Sequence, residues 1–287
     1  VGSEMCIRDR INGAECEPCL TCDDALMRQD AEKIVKGTLL IMKATGAKYG
    51  IIGIEENKPD AIKIMSSATD PYPGLKVVTL KKKYPQGGEK QLIYAITGRV
   101  VPAGALPIET KCIVDNVATA YAIYDAVYNR RPLTDRIVTV TGKGLSNPGN
   151  FRIKNGTSLD DIIKFAGGLP EDTGKIIAGG PMMGRAISSL EASATKGLSG
   201  LVILPESESL RKPTQPCIRC ARCVSVCPMG LEPYLLMLQA DVKKWDDMAA
   251  NGVMNCLECG CCAYTCPSHR PLLDMIKLGK QELRKKK

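Results

Sequence analysis

Two cysteine runs near the carboxyl end of this chain constrain its fold more than any other feature. Nine of the 14 cysteines fall within residues 217–266. Eight of them form two runs of identical spacing, Cys217-x2-Cys220-x2-Cys223-x3-Cys227-Pro228 and Cys256-x2-Cys259-x2-Cys262-x3-Cys266-Pro267. Such density is typical of disulfides in small secreted domains, but this sequence has 287 residues and does not open on a charged segment followed by an apolar one. The runs therefore predict metal ligands.

The spacing indicates two 4Fe-4S clusters of the bacterial ferredoxin type. Three thiolates at two-residue intervals surround one cluster, and the fourth, after a longer step, reaches the other cluster. The predicted ligands of one cluster are Cys217, Cys220, Cys223 and Cys266, and those of the other are Cys256, Cys259, Cys262 and Cys227. Zinc is the alternative, because CxxC pairs also suit a tetrahedral zinc site, but two four-cysteine runs that each end in Cys-Pro favour clusters.

The other sulfur and imidazole groups carry weaker signals. Cys261 lies beside a predicted ligand and is expected to pack or form a hydrogen bond near sulfur, not to ligate. Cys16, Cys19 and Cys22 are also two residues apart, but no Cys-Pro completes their run, so a third cluster is not predicted. His269 is the only histidine and is expected at the surface or next to the ligands, which leaves no candidate for histidine acid–base catalysis.

Charge and composition exclude several classes of function. The formal net charge is +8, and most of it lies in the last eleven residues, which hold Lys277, Lys280, Arg284, Lys285, Lys286 and Lys287 against Glu282. A basic end of this kind is usually a solvated helix end and sometimes contacts an acidic partner or an anionic membrane. Two Phe and one Trp offer few stacking platforms, so a nucleic-acid partner is not predicted. No apolar run approaches about 18 residues, and no transmembrane segment is expected.

Upstream of the cysteines, residues 11–131 predict an α/β domain with a mainly parallel sheet. The expected elements are a helix capped by Asp23 or Asp24 with Leu26, Ile34, Leu39 and Ile41 facing inward, a strand over 48–54, a helix from Pro59, a strand over 77–80 and a helix over 117–128. Residues 1–10 match no periodicity, so we expect them to be an artefact outside the fold and the natural chain to extend upstream.

Two smaller regions follow. Residues 132–204 predict an α+β module with a strand over 137–141, a turn at 147–150, an antiparallel strand over 151–153 and a helix capped by Ser158 that ends at 167–168. Residues 205–216 are the predicted linker. Residues 217–287 are expected to be mostly helical, with Leu231, Leu235, Leu238 and Val242 on one buried face, and with Leu272, Met275 and Ile276 on one face of a helix that begins at Pro271.

Several stretches carry a family resemblance. They are Ile11-Asn12-Gly13-Ala14-Glu15-Cys16-Glu17-Pro18, residues 83–92 around Gly87-Gly88-Glu89, and Val114-Asp115-Asn116-Val117-Ala118-Thr119. Residues 142–144 and 178–184 resemble the soluble-ligand-binding β-grasp domain. Together with the paired runs, everything from residue 11 onward resembles the C subunits of Rnf ion-translocating electron-transport complexes (the RnfC family), and more distantly the NADH-binding flavoprotein subunit of respiratory complex I.

The resemblance implies binding sites for FMN and NAD(H) in addition to the two 4Fe-4S clusters. Asn12, Glu15 and Glu17 would line the flavin and nicotinamide side of the pocket. Glu89 would match a pocket glutamate that follows Gly87-Gly88, and these three residues would contact the cofactor. Asn116 and Thr119 would lie beside the flavin phosphate or ribityl chain. Ala14 and Ala118 replace acidic residues of the complex I pattern, and the family's glycine-rich loop upstream of Asn12 does not occur in this sequence.

The implied fold class is an N-terminally truncated α/β flavin- and nicotinamide-binding domain, a β-grasp α+β module and a mostly helical two-cluster ferredoxin-type domain. The implied function is electron transfer in a membrane-associated ferredoxin:NAD oxidoreductase, with other Rnf-type subunits as partners and ferredoxin reached indirectly through a partner iron–sulfur subunit. Those subunits would couple electron flow to Na⁺ or H⁺ export, with this chain peripheral on the cytoplasmic face of the inner membrane. The alternatives are a cobalamin reductase of a propanediol-utilisation microcompartment and a non-catalytic iron–sulfur relay or scaffold subunit.

Overall fold

A computed structural model describes residues 8–285, which divide into two compact units. The first unit ends at Ser209 and the second begins at Leu210, while residues 102–105 group with the second unit. Residues 1–7 of the predicted artefact, including Cys6, and Lys286 and Lys287 of the basic end lie outside the described residues.

The first unit begins with a four-stranded sheet in which all pairs are parallel. Its elements are β1 (Arg8–Gly13), α1 (Cys22–Gln29), α2 (Ala31–Thr45), β2 (Tyr49–Glu55), α3 (Pro59–Thr69), β3 (Leu75–Leu80), α4 (Glu89–Thr97), a 3-10 helix (Pro107–Thr110), β4 (Cys112–Asn116) and α5 (Val117–Tyr128). The strand order is β3-β2-β1-β4. The chain thus winds to one side of β1, through β2 and β3, and then returns to place β4 on its other side.

This sheet confirms the predicted α/β architecture, and two details differ from the expected elements. The first strand begins at Arg8 instead of after residue 10, and both Asp9 and Arg10 are buried within it. The single helix expected after Asp23 is two helices, because Asp30 adopts a non-helical backbone (φ −129°, ψ 34°) between α1 and α2. The break lets each helix present its own apolar face to the core around Ile11, Ile34 and Ile52.

A second, mixed sheet of five strands completes the first unit. Its elements are β5 (Asp135–Gly142), β6 (Gly149–Lys154), α6 (Leu159–Phe165), β7 (Thr173–Ala178), β8 (Arg185–Ile187), β9 (Gly200–Pro205) and α7 (Glu206–Ser209). The order is β6-β5-β9-β7-β8, with β5 and β9 parallel and the other pairs antiparallel. The predicted β5–β6 pairing is present, and the Ser158 hydroxyl caps α6 by accepting from Asp161 N at 3.0 Å. Helix α7 lies inside the predicted linker.

The second unit repeats one local pattern twice. It contains α8 (Arg222–Ser225), α9 (Pro233–Asp241), α10 (Trp245–Ala250), a 3-10 helix (Val253–Asn255), α11 (Cys261–Tyr264) and α12 (Leu272–Lys285). Left-handed backbone conformations recur 39 residues apart, as the runs themselves do, at the pairs Arg219 and Glu258, Ala221 and Gly260, and Gly230 and His269. Each cysteine run therefore contains a short helix, α8 or α11, and is followed by a longer one, α9 or α12.

The buried face predicted for α9 is wrong. Leu238 and Val242 are 49% and 62% exposed, whereas Leu236, Met237 and Ala240 are buried. Leu231 lies before α9, which begins at Pro233, so the predicted set includes a residue outside the helix. The face of α9 that packs in one core with Ile276 of α12 carries Leu236 and Ala240 instead. Among the described residues, no helix combines the length and apolar character needed to cross a bilayer.

Close packing of α2 on α5 gives a first prediction. A Cβ atom at Gly37 would lie 1.8 Å from the backbone oxygen of Ala120. We therefore expect Gly37→Ala to force α2 and α5 apart and to lower the free energy of unfolding of the first unit by about 1–3 kcal/mol, the usual cost of overpacking. Urea unfolding followed by circular dichroism measures this change. The control is Gly197→Ala, because a Cβ atom at Gly197 would meet no atom within 4 Å beyond its own chain neighbours; equal stability of the two variants contradicts the prediction.

Candidate functional site

The second unit assembles the eight predicted cluster cysteines into two sets. One recess is lined by Cys217, Cys220, Cys223 and Cys266. The other is lined by Cys227, Cys256, Cys259 and Cys262, with Cys261 beside them. Each run therefore contributes three cysteines to one recess and its last cysteine to the other, which is the arrangement that the spacing predicts. We call these the first recess and the second recess.

The backbone explains how three sulfurs of a run reach one recess. Arg219 and Ala221 in the first run, and Glu258 and Gly260 in the second, have positive φ angles between 54° and 80°. These left-handed residues turn the chain between successive cysteines, so that the loop curves around the recess. The third cysteine of each run then lies in the short helix α8 or α11.

Solvent exposure differs between the two recesses. Cys217 and Cys220 of the first are exposed, whereas Cys259 and Cys262 of the second are each only 8% exposed. Burial raises the pKa of the Cys262 thiol to about 12 and also raises the pKa of Cys256. A metal that binds these sulfurs must therefore displace protons from them, as thiolate ligation generally requires.

The donor sets of the two recesses fit 4Fe-4S clusters. Each recess gathers the four cysteines of one predicted set, and its described lining contains no histidine and no carboxylate. All-thiolate sets from paired Cys-Pro runs are the donors of the bacterial ferredoxin clusters. Elsewhere in residues 8–285, Glu15, Cys22 and Asp23 have potential ligand atoms that all lie within 4.8 Å of one another.

The two recesses adjoin each other. Met237, Cys262 and Leu272 form a small apolar cluster, and Cys223 and Cys266 of the first recess pack against it. This apolar wall therefore contacts cysteines of both sets. Cys261 lines the second recess and contacts Cys259, and burial raises its pKa to about 12. His269 is exposed.

A second candidate site lies at the carboxyl edge of the parallel sheet. The chain reverses its winding direction between β1 and β4, and in open α/β sheets such a switch point is where ligands bind. Asn12 and Asn116 lie opposite each other in register at the ends of these two strands. The Asn12 amide donates to Gly87 O at 2.8 Å, and the Asn116 amide donates to Asp23 Oδ2 at 2.7 Å while its oxygen caps α5 at Ala118 N.

Glycine shapes this edge. A Cβ atom at Gly87 would lie 3.1 Å from Cys16 Sγ and 3.6 Å from Asn12 Oδ1. The next residue, Gly88, is the N-cap of α4 and has no side chain that could cap the helix. A helix start of this kind, behind a glycine that admits close approach, fits the phosphate of a flavin mononucleotide. Glu89 and Thr119 lie in the first turns of α4 and α5.

The two glutamates predicted to line the flavin pocket bind backbone N–H groups of the protein itself. Glu15 accepts from Asp23 N at 2.7 Å and Asp24 N at 3.1 Å and so caps α1. Glu17 accepts from Met182 N at 3.0 Å and Met183 N at 2.8 Å, which ties the β-grasp loop to the segment after β1. Burial raises the pKa of Glu15 to about 7, with the Asp23 charge acting in the same direction.

Two buried lysines contact backbone carbonyl groups at the candidate sites, and their burial is not predicted by the sequence. Lys58 is 8% exposed and donates to Ala14 O at 2.8 Å and Glu15 O at 3.3 Å, which fixes the turn after β1. Lys280 is 6% exposed and donates to Cys256 O at 2.9 Å. Nothing in their local sequence separates them from solvated lysines, because Lys58 precedes a helix and Lys280 stands in the basic end.

The cysteines of the first domain have separate surroundings. Cys16 lies against Gly87, and Cys22 is buried near Thr139 and Glu15, while Cys19 is exposed. Burial raises the pKa of both Cys16, to about 11, and Cys22.

Comparison with known domain families divides the chain into three matched segments. Residues 10–125 match the Nuo51 FMN-binding domain, residues 137–186 match the SLBB domain, and residues 209–267 match a 4Fe-4S dicluster domain. The order of the matches follows the order of the parallel sheet, the mixed sheet and the helical unit.

Similar proteins of known assignment are the C subunits of ion-translocating complexes. The chain is 43% identical over 274 residues to the C subunit of the Na(+)-translocating ferredoxin:NAD(+) oxidoreductase complex of Acetobacterium woodii, covering 95% of this chain and 62% of that protein. It is 41% identical to the C subunit of the ion-translocating oxidoreductase complex of Rhodobacter capsulatus, covering 95% and 53%. It is 44% identical over 230 residues to the C subunit of the proton-translocating ferredoxin:NAD(+) oxidoreductase complex of Clostridium ljungdahlii, covering 79% and 50%. The chain therefore spans between half and two thirds of the length of these relatives.

A solved structure shares the fold. A chain of an NAD+-reducing [NiFe]-hydrogenase in the H2-reduced state superposes with a TM-score of 0.62 at 16% identity, covering 97% of this chain and 56% of that one. At this identity the likeness concerns the fold alone.

The raised pKa of Glu15 predicts a pH dependence of stability. The folded chain holds the Glu15 proton up to about pH 7, whereas the unfolded chain releases it near the ordinary value of 4.5. The stability that comes from this proton is complete below about pH 4.5 and is lost as pH rises through about 7. Relative to Glu15→Gln, the chain should therefore lose about 3 kcal/mol of unfolding free energy across this window, at 1.36 kcal/mol per pKa unit.

Urea unfolding at several pH values, followed by circular dichroism, tests this expectation. Exposed Glu171 provides the matched control, and Glu171→Gln should show no such pH-dependent difference from the unmodified chain. A difference between the chain and Glu15→Gln that stays constant with pH would refute the prediction.

Proposed function

Because this chain belongs to the family of C subunits of the ion-translocating oxidoreductase complexes, we propose that it passes electrons between NAD(H), FMN and two 4Fe-4S clusters in a ferredoxin:NAD oxidoreductase complex. The observation that carries the proposal is the construction of each four-cysteine recess from both runs. In this proposal the chain is an oxidoreductase subunit, and partner subunits couple its electron transfer to Na⁺ or H⁺ export.

The clusters are proposed to be held by the two cysteine sets. Cys217, Cys220, Cys223 and Cys266 would ligate one cluster in the first recess, and Cys256, Cys259, Cys262 and Cys227 the other in the second recess. The exclusively sulfur donors and the paired Cys-Pro runs support this assignment. The shared wall of Met237 and Leu272 supports electron exchange between the clusters.

The flavin site is proposed at the carboxyl edge of the parallel sheet. Gly87, Gly88 and the start of α4 would hold the phosphate, with Glu89, Asn116 and Thr119 at the border of the site. FMN, when bound, supplies the conversion between the two-electron hydride chemistry of nicotinamide and the one-electron chemistry of the clusters. Asn12 fixes Gly87 through its amide, Lys58 fixes the turn that carries Glu15, and Glu17 fixes the β-grasp loop. Their proposed role is to position the nucleotides.

The first recess is the proposed place of electron exchange with a partner. Its described lining includes Arg219, Arg222 and Arg270 and no carboxylate, and Ile218 on its rim is 67% exposed. An exposed cluster with a basic, partly apolar rim suits a protein partner with an acidic surface and its own redox centre. We propose an iron–sulfur subunit of the same complex as this partner, through which ferredoxin is reached, at the cytoplasmic face of the membrane.

Cysteine substitutions test the crossed ligand sets. After anaerobic reconstitution the chain should hold about eight iron atoms, four for each cluster. Cys227→Ala should abolish the same electron paramagnetic resonance signal as Cys256→Ala, and Cys266→Ala the same signal as Cys217→Ala, with about four iron atoms lost in each case. Cys112→Ala and Cys261→Ala are the controls and should keep both signals. If Cys227→Ala removes the signal that depends on Cys217, the crossed assignment fails.

Titration with NADH tests the oxidoreductase function. The chain is purified anaerobically with FMN supplied and titrated with NADH while the visible spectrum is recorded. We expect both the flavin bands and the broad iron–sulfur absorbance to bleach, because hydride oxidation and cluster reduction are connected through the flavin. Gly87→Val should hold almost no FMN after the same treatment, because a side chain at position 87 comes within contact distance of Asn12 and Cys16. A side chain at Gly197 meets no such contacts, so the spectrum of Gly197→Val should bleach like that of the unmodified chain. If dithionite bleaches the clusters but NADH does not, the chain is an electron relay without a nicotinamide site, and the proposed oxidoreductase function is wrong.

A further inference from the structure

A buried lysine, Lys280, contacts the backbone of a cysteine that lines the second recess. The Lys280 ammonium lies 2.6 Å from Glu258 Oε1 and donates to the carbonyl oxygen of Cys256 at 2.9 Å. The lysine side chain is 7% exposed, whereas the Glu258 side chain is 31% exposed. Water therefore screens the Glu258 carboxylate more than the Lys280 ammonium, so the carboxylate offsets only part of the positive charge beside Cys256.

The repeat in the second unit shows that this cation is specific to one run. The residue 39 positions before Lys280 is Asp241, at the end of α9, and it is exposed. The residue 39 positions before Glu258 is Arg219, which is also exposed. The two halves thus share a backbone pattern but differ in these charges. Arg219 and Asp241 of the first half correspond to Glu258 and Lys280 of the second, with the signs exchanged, and of these four residues only Lys280 is buried.

The field of Lys280 reaches the sulfur ligands. Its ammonium donates to the carbonyl oxygen of Cys256, whose sulfur is one of the second-recess set, so a positive charge lies beside that ligand. Two backbone N–H groups point to sulfurs of the same set, from Glu258 to Cys256 Sγ and from Leu231 to Cys227 Sγ, each at 3.4 Å. Hydrogen bonds and positive charge near sulfur both favour the reduced form of a cluster, because reduction adds an electron to it.

We infer that Lys280 is a positioning charge that raises the reduction potential of the cluster in the second recess. This inference rests on the proposed ligation of both clusters. No proton transfer and no additional reactant is required, because the effect is that of a fixed charge.

Redox titration of the full, reconstituted chain tests the inference. Electron paramagnetic resonance follows both clusters, and the single-cluster variants Cys217→Ala and Cys256→Ala assign the signals. In Lys280→Met the equilibrium constant for reduction of the second-recess cluster should fall about tenfold, which is about 59 mV for one electron. The first-recess cluster should not change. Lys280→Arg should retain the potential, because it keeps the charge.

Two further variants make the result specific. Lys285→Met removes a lysine from the same helix that is exposed and paired with Glu282, and it should leave both potentials unchanged. Glu258→Gln removes the counter-charge and should shift the second-recess potential upward, opposite to Lys280→Met. This variant also decides the question if Lys280→Met does not fold.

The outcomes separate the inference from the function on which it rests. Unchanged potentials in Lys280→Met or Glu258→Gln, with about eight iron atoms and normal circular dichroism, overturn the role of Lys280 while the clusters stand. Absence of both cluster signals from the unmodified chain overturns the proposed ligation itself. Equal shifts of both clusters in Lys280→Met would also contradict the inference, because a local charge should act on the nearer cluster.

Discussion

Each cysteine run contributes its last member to the recess of the other run, and the architecture of the second unit follows from this exchange. A run that kept all four cysteines could fold alone, but here Cys227 and Cys266 belong to recesses built mainly by the opposite run. The two halves must therefore fold together. The apolar core around Leu236, Met248 and Ile276 is small, with Cys227 and Cys256 packed against it, so the sulfur ligands lie at the core and not at its margin.

The carboxyl edge of the parallel sheet, where we propose the flavin site, depends on a comparable network, although its chemistry is different. The parallel order β3-β2-β1-β4 brings Asn12 and Asn116 side by side, and their amides then engage Gly87, Asp23 and the start of α5. Glu17 extends the network to the β-grasp loop, where Gly180 is required because a Cβ atom there would lie 2.4 Å from the Glu17 carboxylate. The polar side chains that distinguish this edge thus hold loops in place, and backbone groups and glycines remain to receive a nucleotide.

These observations show which features a sequence can reveal. The cysteine sets could be predicted because ligand spacing is local, and the parallel sheet could be predicted because helices and apolar strands alternate along the chain. The exposed side of α9 could not, since it depends on where Pro233 starts the helix and on α12, which is distant in sequence. The burial of Lys58 and Lys280 was equally hidden, because a lysine is buried only when distant carbonyl and carboxylate groups converge on it. The roles of Glu15 and Glu17 as caps and tethers likewise depend on backbone groups that the folded chain brings to them.

The repeat in the second unit separates the geometry of ligation from the electrostatics around it. Left-handed residues at equivalent positions give both runs the same loop, which requires little of the side chains between the cysteines. The charged side chains around the runs can therefore differ between the two halves. Arg219 and Asp241 are exposed in one half, while their counterparts Glu258 and Lys280 form a largely buried ion pair in the other. Because a cluster's potential responds to burial and nearby charge more than to ligand spacing, two recesses with one backbone design can hold electrons at different energies. A difference of this kind gives electron transfer between adjoining clusters a direction without any change in the ligands.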